Sequence, residues 1–256
     1  MLKDSDIKRL IVTRPQGQTD SLLKKLKQAV GNWLEIEHLP LIQISPLDFS
    51  EQEKKDLTDK AIDGAIFISG NAARLFFNHS KRADNLSGIP LLAVGNNTAS
   101  ELKKITNQPV LYPDQMNSEG LLKLAQLQSI SNQHWLIVKG TGGRSLIEQT
   151  LRERGAQVSE IEVYQRRLPD YSTQQKIYQQ KFDHPVWLLS SAQAITHLHR
   201  ILGLTDQPEH ATRLIVSSDR LATMARQQGF TIIAQSAGAS ESQLVQCVKT
   251  LILHQE

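Results

Sequence analysis

A chain of 256 residues is long for one hydrophobic core and comfortable for two compact units. Apolar residues at 39% and charged residues at 21% describe a soluble globular protein and exclude a disordered or fibrous one. Against 26 acidic residues stand 29 Lys and Arg, scattered rather than clustered, so the net charge of +3 argues for no nucleic-acid partner, although it suits an anionic small molecule.

The N-terminus, Met1-Leu2-Lys3-Asp4-Ser5-Asp6, offers no apolar h-region, and no stretch approaches membrane-spanning length. A cytoplasmic protein with no membrane partner is expected, which also counts against a periplasmic solute-binding protein. The single cysteine, Cys247, excludes an intramolecular disulfide. It stands among Leu244, Val245, Val248 and Leu251 at helical spacing, the setting of a buried, inert thiol.

Short apolar strands alternate with amphipathic helices. The expected strands are Leu10–Thr13, Ala65–Ser69, Leu91–Val94, Val110–Tyr112, Trp135–Lys139, Val186–Ser190, Leu214–Ser217 and Thr231–Gln235. Their near-continuous Ile, Leu and Val predict parallel strands covered on both faces. Between them, Leu22, Leu23, Leu26 and Val30 form a helical stripe ended by Gly31, and Leu146, Ile147, Thr150 and Leu151 another ended by Gly155. Leu198, Ile201 and Leu202 precede Gly203, and Leu221, Met224 and Ala225 precede Gly229.

The pattern then repeats. Glu35-Ile36-Glu37 returns as Glu160-Ile161-Glu162, offset by 125 positions. Ala65–Ser69 returns as Val186–Ser190 at 121, and Ser118-Glu119 as Ser240-Glu241 at 122. Shared offsets in one order indicate a duplicated α/β unit, hence two similar lobes able to face each other across a cleft, a common place for small-molecule sites. Two matching segments, Leu34 to Ile44 and Val158 to Leu168, alternate charged with apolar residues. That suits strands travelling between lobes, able to pair as an antiparallel connector, with lobe one combining both chain ends. Simple halves split near residue 130 are the alternative that pattern leaves open.

Metal and nucleophile chemistry lack support. His197 and His199 have no further ligands nearby, and positions two apart on a helix point to different faces. No G-x-S-x-G elbow occurs. Lys139-Gly140-Thr141-Gly142-Gly143-Arg144 makes a tight strand-to-helix turn without either phosphate-loop spacing. The turns themselves are more informative: Ser69-Gly70-Asn71, Gly95-Asn96-Asn97-Thr98, Gly140 to Gly143, and Ser190-Ser191-Ala192 each sit after a strand and before a helix. Helix N-termini there carry unpaired N–H groups that suit anions, and ligands gather at the carboxyl ends of parallel strands. Taken singly, each Ser, Thr or Asn is also an ordinary helix cap.

These turns carry a resemblance. Leu10-Ile11-Val12-Thr13-Arg14-Pro15, Phe67-Ile68-Ser69-Gly70-Asn71-Ala72, Ala93-Val94-Gly95-Asn96-Asn97-Thr98-Ala99 and Ser118-Glu119-Gly120-Leu121-Leu122 follow one another as in a known family. So do Leu136-Ile137-Val138-Lys139-Gly140 with Gly142-Gly143-Arg144, and Gly155-Ala156-Gln157-Val158 running into Val163-Tyr164. Over almost the whole chain the sequence resembles the uroporphyrinogen-III synthase family. The resemblance implies an α/β fold of two similar lobes, with parallel sheets flanked by helices, joined by a two-stranded linker with the active site in the cleft. It decides the division as 1–36 with 168–256 for lobe one, 43–162 for lobe two, and 37–42 and 163–167 for the linker strands.

The same resemblance implies a lyase of tetrapyrrole (heme) biosynthesis that needs no cofactor or metal and acts as a monomer. Its substrate would be hydroxymethylbilane, a linear tetrapyrrole with eight carboxylates, cyclised with loss of water and inversion of ring D. Such an enzyme mainly orients a floppy chain through amides and cations. Tyr164 matches the tyrosine that the family places at the cleft and is the expected proton donor. Substrate contacts are expected from Arg14, Ser69, Gly70, Asn71, Gly95, Thr98, Lys139, Gly140, Ser190, Ser191 and Ala192, with Arg144 and Arg166 as further carboxylate partners. One departure stands out: Ser217-Ser218-Asp219-Arg220 lacks the family's usual Gly and Thr, although Asp219 retains the chemistry of a cap. A non-catalytic two-lobed binder of an anionic metabolite is the rival reading.

Overall fold

The computed structural model describes residues 7–79, 86–170, 185–203 and 212–253; Met1–Asp6, inspected above for a leader, lie outside them. Eleven strands are present among the described residues: β1 (Arg9–Val12), β2 (Glu35–His38), β3 (Gln43–Pro46), β4 (Gly64–Phe67), β5 (Leu91–Ala93), β6 (Val110–Leu111), β7 (His134–Gly140), β8 (Gln157–Arg167), β9 (Val186–Leu189), β10 (Arg213–Val216) and β11 (Thr231–Gln235). The α-helices are α1 (Asp20–Val30), α2 (Glu51–Asp59), α3 (Gly70–His79), α4 (Asn96–Thr106), α5 (Ser118–Leu121), α6 (Leu146–Glu153), α7 (Ala192–Ile201), α8 (Asp219–Gln227) and α9 (Glu241–Leu253). All eight strands expected from the sequence occur, and Gly31, Gly155, Gly203 and Gly229 follow their helices with positive φ.

The chain divides into Met1–Gln43 with Arg167–Glu256, and Ile44–Arg166. The first unit holds a five-stranded sheet ordered β11-β10-β9-β1-β2, with every pair parallel. The second holds β3-β8-β7-β4-β5-β6, with β8 through β6 parallel throughout. Apart from the added β3, the orders correspond strand for strand: β2 to β8, β1 to β7, β9 to β4, β10 to β5 and β11 to β6. Each sequence repeat therefore gives two strands to one sheet and three to the other. The first sheet has the 2-1-3-4-5 winding of flavodoxin-like proteins, and the second shows the same layout in the permuted chain order 5-4-1-2-3.

Alternation along the strands covers both faces of the second sheet. Ala65, Phe67, Leu91, Ala93, Leu136 and Val138 pack with Ala72, Phe76 and Leu102 of α3 and α4. Ile66, Leu92, Trp135 and Ile137 pack with Leu121, Ile147 and Leu151 of α5 and α6 on the opposite side. In the first sheet, Leu10, Val12, Val186 and Leu188 pack with Leu22, Leu26 and Leu244 of α1 and α9. Ile11, Trp187, Leu214 and Val216 are buried on the other face, as are Ile195 and Leu198 of α7 and Leu221 of α8. At about 25 cal/mol per Å² of apolar area, these layers are the main source of stability.

The extended segment 34–44 is not one strand. It breaks at Leu39-Pro40-Leu41-Ile42 between β2 and β3, although Leu39 N and Leu41 N still donate to the Val12 and Thr13 carbonyls. The segment 158–168 instead runs as the single long strand β8.

Candidate active site

Each sheet reverses its winding between two neighbouring strands, β1 and β9 in the first unit, β7 and β4 in the second. Helices that follow such neighbours leave to opposite faces, as α6 and α3 do, and open a crevice at the strand ends. The expected site residues fall largely at these points. Arg14 follows β1 and Ser190-Ser191-Ala192 follow β9; Lys139 and Gly140 end β7, and Ser69-Gly70-Asn71 follow β4. Gly95 and Thr98 lie one turn further, after β5.

In the second unit four side chains and turns converge. The β7–β8 register runs Lys139↔Glu162 and then Gly140↔Tyr164, so Val163 is an extra residue and the irregularity re-aims Tyr164 inward. Its ring joins the core around Phe67 and Ala72. The Tyr164 hydroxyl shares a hydrogen bond with Ser69 Oγ at 3.1 Å and accepts one from Arg166 Nη2 at 3.0 Å. The Arg166 guanidinium also lies over the ring, 5.3 Å from its centroid. Ser69 Oγ accepts from Ala72 N at 3.1 Å, capping α3. In the first unit the same capping role falls to Ser191, next to the repeat's Ser190, which caps α7 by accepting from Ala194 N at 3.1 Å. Beside Ser69, an open hollow of about 340 Å³ is lined by Ile68, Val94, the 95–98 turn and the exposed Met116.

The cations hold internal partners. Lys139 Nζ donates to both Glu160 oxygens at 2.9 and 2.8 Å, and Arg144 Nη1 to Glu119 Oε1 at 3.0 Å. Arg14 donates to the Ala239 carbonyl; burial pushes its guanidinium below its ordinary value while Glu241 opposes that shift. The 140–143 turn has Gly142 and Gly143 at positive φ, a bend side chains resist, and Gly142 N donates to Glu162 Oε1 at 3.3 Å.

Other expectations are revised. Asp219 does not cap α8; Ser218 does, accepting from Leu221 N at 3.3 Å, while Asp219 Oδ1 accepts from Gln235 Nε2 at 3.0 Å. Cys247 is half-buried rather than buried, and burial pushes its thiol up. His197 Nδ1 lies 2.6 Å from Leu41 O and His199 meets Phe230 edge-on. Sequence reasoning missed the Arg166–Tyr164 contact, which depends on the strand irregularity, and Met116, which carried no signal.

The fold defines a duplicated α/β protein whose two sheets present matched polar turns at their strand ends. Residues 8–246 match the family model of uroporphyrinogen-III synthase HemD, and the chain belongs to that family. It is 30% identical over 250 residues to uroporphyrinogen-III synthase of Escherichia coli, covering 94% of this chain and 99% of that protein. The Salmonella typhimurium synthase is 29% identical over 255 residues, with the same coverage. Among solved structures, uroporphyrinogen-III synthetase from Helicobacter pylori superposes with a TM-score of 0.64 at 14% identity, covering 96% of this chain and 100% of that one. A mutant synthase from Thermus thermophilus gives 0.60 at 17% identity, covering 97% and 100%. At those identities the structures bear on the fold.

Proposed function

We propose that this chain is a cyclising lyase that converts hydroxymethylbilane to uroporphyrinogen III, losing water and inverting ring D. The observation that carries this reading is the family match from residue 8 to 246, with relatives of that name aligned over nearly their full lengths.

The chemistry suits a site with few reactive side chains. Departure of the hydroxymethyl oxygen leaves an azafulvenium that pyrrole electrons stabilise unaided. Attack at the substituted carbon of ring D gives a spiro intermediate, which fragments and recloses inverted. The protein must favour that geometry over head-to-tail closure, which is orientation and preorganised electrostatics. In this proposal, amides of the 69–71, 95–98, 140–143 and 190–192 turns, with Arg14 and Lys139, hold substrate carboxylates. Tyr164 belongs to the proton-donating machinery. The 37–42 and 163–167 segments link the two units, and the protein works as a cytoplasmic monomer without nucleic-acid partners.

Purified protein given hydroxymethylbilane is expected to yield the type III isomer. Only the spontaneous type I isomer would sink the assignment.

A further inference from the structure

Direct proton delivery from Tyr164 meets a geometric obstacle. The residue is 1% exposed, and its hydroxyl is bonded on two sides. Hydrogen counting fixes two of the three bonds. A guanidinium has donors only, so at Arg166 the phenol oxygen accepts. Ser69 Oγ likewise accepts the Ala72 N–H. In the bond that the two hydroxyls share, either oxygen can donate. When the phenol donates, both lone pairs of Ser69 Oγ are taken, and the Ser69 hydrogen is left to point at a further acceptor. Ser69 is half-buried, at the carboxyl end of β4 where the second sheet reverses its winding.

We propose that the donor facing the substrate is the Ser69 hydroxyl, backed by Tyr164, with Arg166 as the positioning residue that directs the phenol hydrogen toward Ser69. This rests on the synthase reading above and assigns its proton path. As the C–O bond breaks with its electron pair, the Ser69 proton joins the departing hydroxyl and water leaves. Ser69 takes the Tyr164 proton in the same step, leaving a phenolate beside Arg166 and an azafulvenium on the substrate. The proton shed when the last pyrrole carbon regains aromaticity returns through Ser69 to Tyr164, so the cycle balances.

The first unit supplies a contrast. Ser191 caps its helix in the same way, but among the described residues no phenol bonds its oxygen. A capping serine alone is what the fold needs; the phenol and the guanidinium are additions of the second unit.

The test separates capping from proton delivery, because Asn also caps a helix but is no acid. Ser69→Asn is expected to keep its melting temperature while kcat falls about 10²-fold. Tyr164→Phe should lose a comparable factor, and the double variant no more than the worse single one. Arg166→Met should lower kcat about tenfold with KM unchanged, Arg166→Lys restoring part, since a charged donor to the phenol is what matters. Undiminished kcat in Ser69→Asn, multiplying losses in the double variant, or a rise in KM alone for Arg166→Met would each overturn the chain. Wild-type protein that forms no type III isomer would instead overturn the function, whatever the variants do.

Discussion

Gly140 and Tyr164 stand opposite each other across β7 and β8, and the phenol ring fills the volume that any side chain at 140 would need. The glycine is thus required by the tyrosine rather than by its own backbone angles. Gly140→Ala is expected to lower stability by about 1–3 kcal/mol through overpacking. It should also displace the ring from Ser69, so turnover falls more than folding does. Thermal melting together with isomer-resolved kinetics checks both; an unchanged melting temperature would show that the strands have room.

The Lys139–Glu160 pair permits a second comparison. Lys139 is 15% exposed at its side chain and bound by both carboxylate oxygens. Lys139→Ala is expected to raise KM, if its ammonium reaches the substrate in the working complex. Glu160→Gln should weaken the fold by about 1–3 kcal/mol while leaving KM unchanged or lower, since it releases the cation. Equal KM values for all three proteins would confine Lys139 to a structural pairing.

Acid should destabilise the protein. The Asp56 carboxyl lies below the usual carboxylate range chiefly through its hydrogen bond from Lys60, Glu101 through Arg74, and Glu241 through Lys25. A carboxyl lowered in the folded state binds fewer protons there than in the unfolded chain. Its contribution is therefore full above the ordinary range and is lost as pH falls through that range to the lowered values. Melting temperature should hold from neutrality to about pH 5 and decline below it. Asp56→Asn should be less stable at neutrality and show a shallower decline; a parallel curve would refute the assignment to Asp56.

Cys247 offers a simple probe of local opening. Burial raises its thiol, so little thiolate is present near neutrality. Alkylation by iodoacetamide is expected to be slow in native protein and fast in denaturant. Rapid native labelling would mean that α9 opens readily from the first sheet.

Much of the fold was legible because parallel strands buried on both faces are written as short apolar runs. The glycines after helices punctuate them, and the Glu-Ile-Glu repeat exposes the duplication. The alternating segments at 34–44 and 158–168 leave two divisions of the chain open, and it is the family resemblance that chooses the one pairing both chain ends in a single unit. Contacts set by register were not legible. One extra residue at Val163 turns Tyr164 into the core and brings Arg166 to its hydroxyl, and no local pattern announces it. Likewise Ser218 rather than Asp219 caps α8, because both residue types cap well and only the helix start chooses between them.

The reciprocal sharing of strands has a consequence for the halves of this protein. A chain carrying one repeat would own two strands of one sheet and three of the other, and could complete neither by itself. It would find its missing strands only in a second copy, as an intertwined homodimer. Joining two copies end to end removes that dependence on concentration. It also frees the halves to diverge, so that Gly95 begins the helix after β5 where Ser218 begins the one after β10.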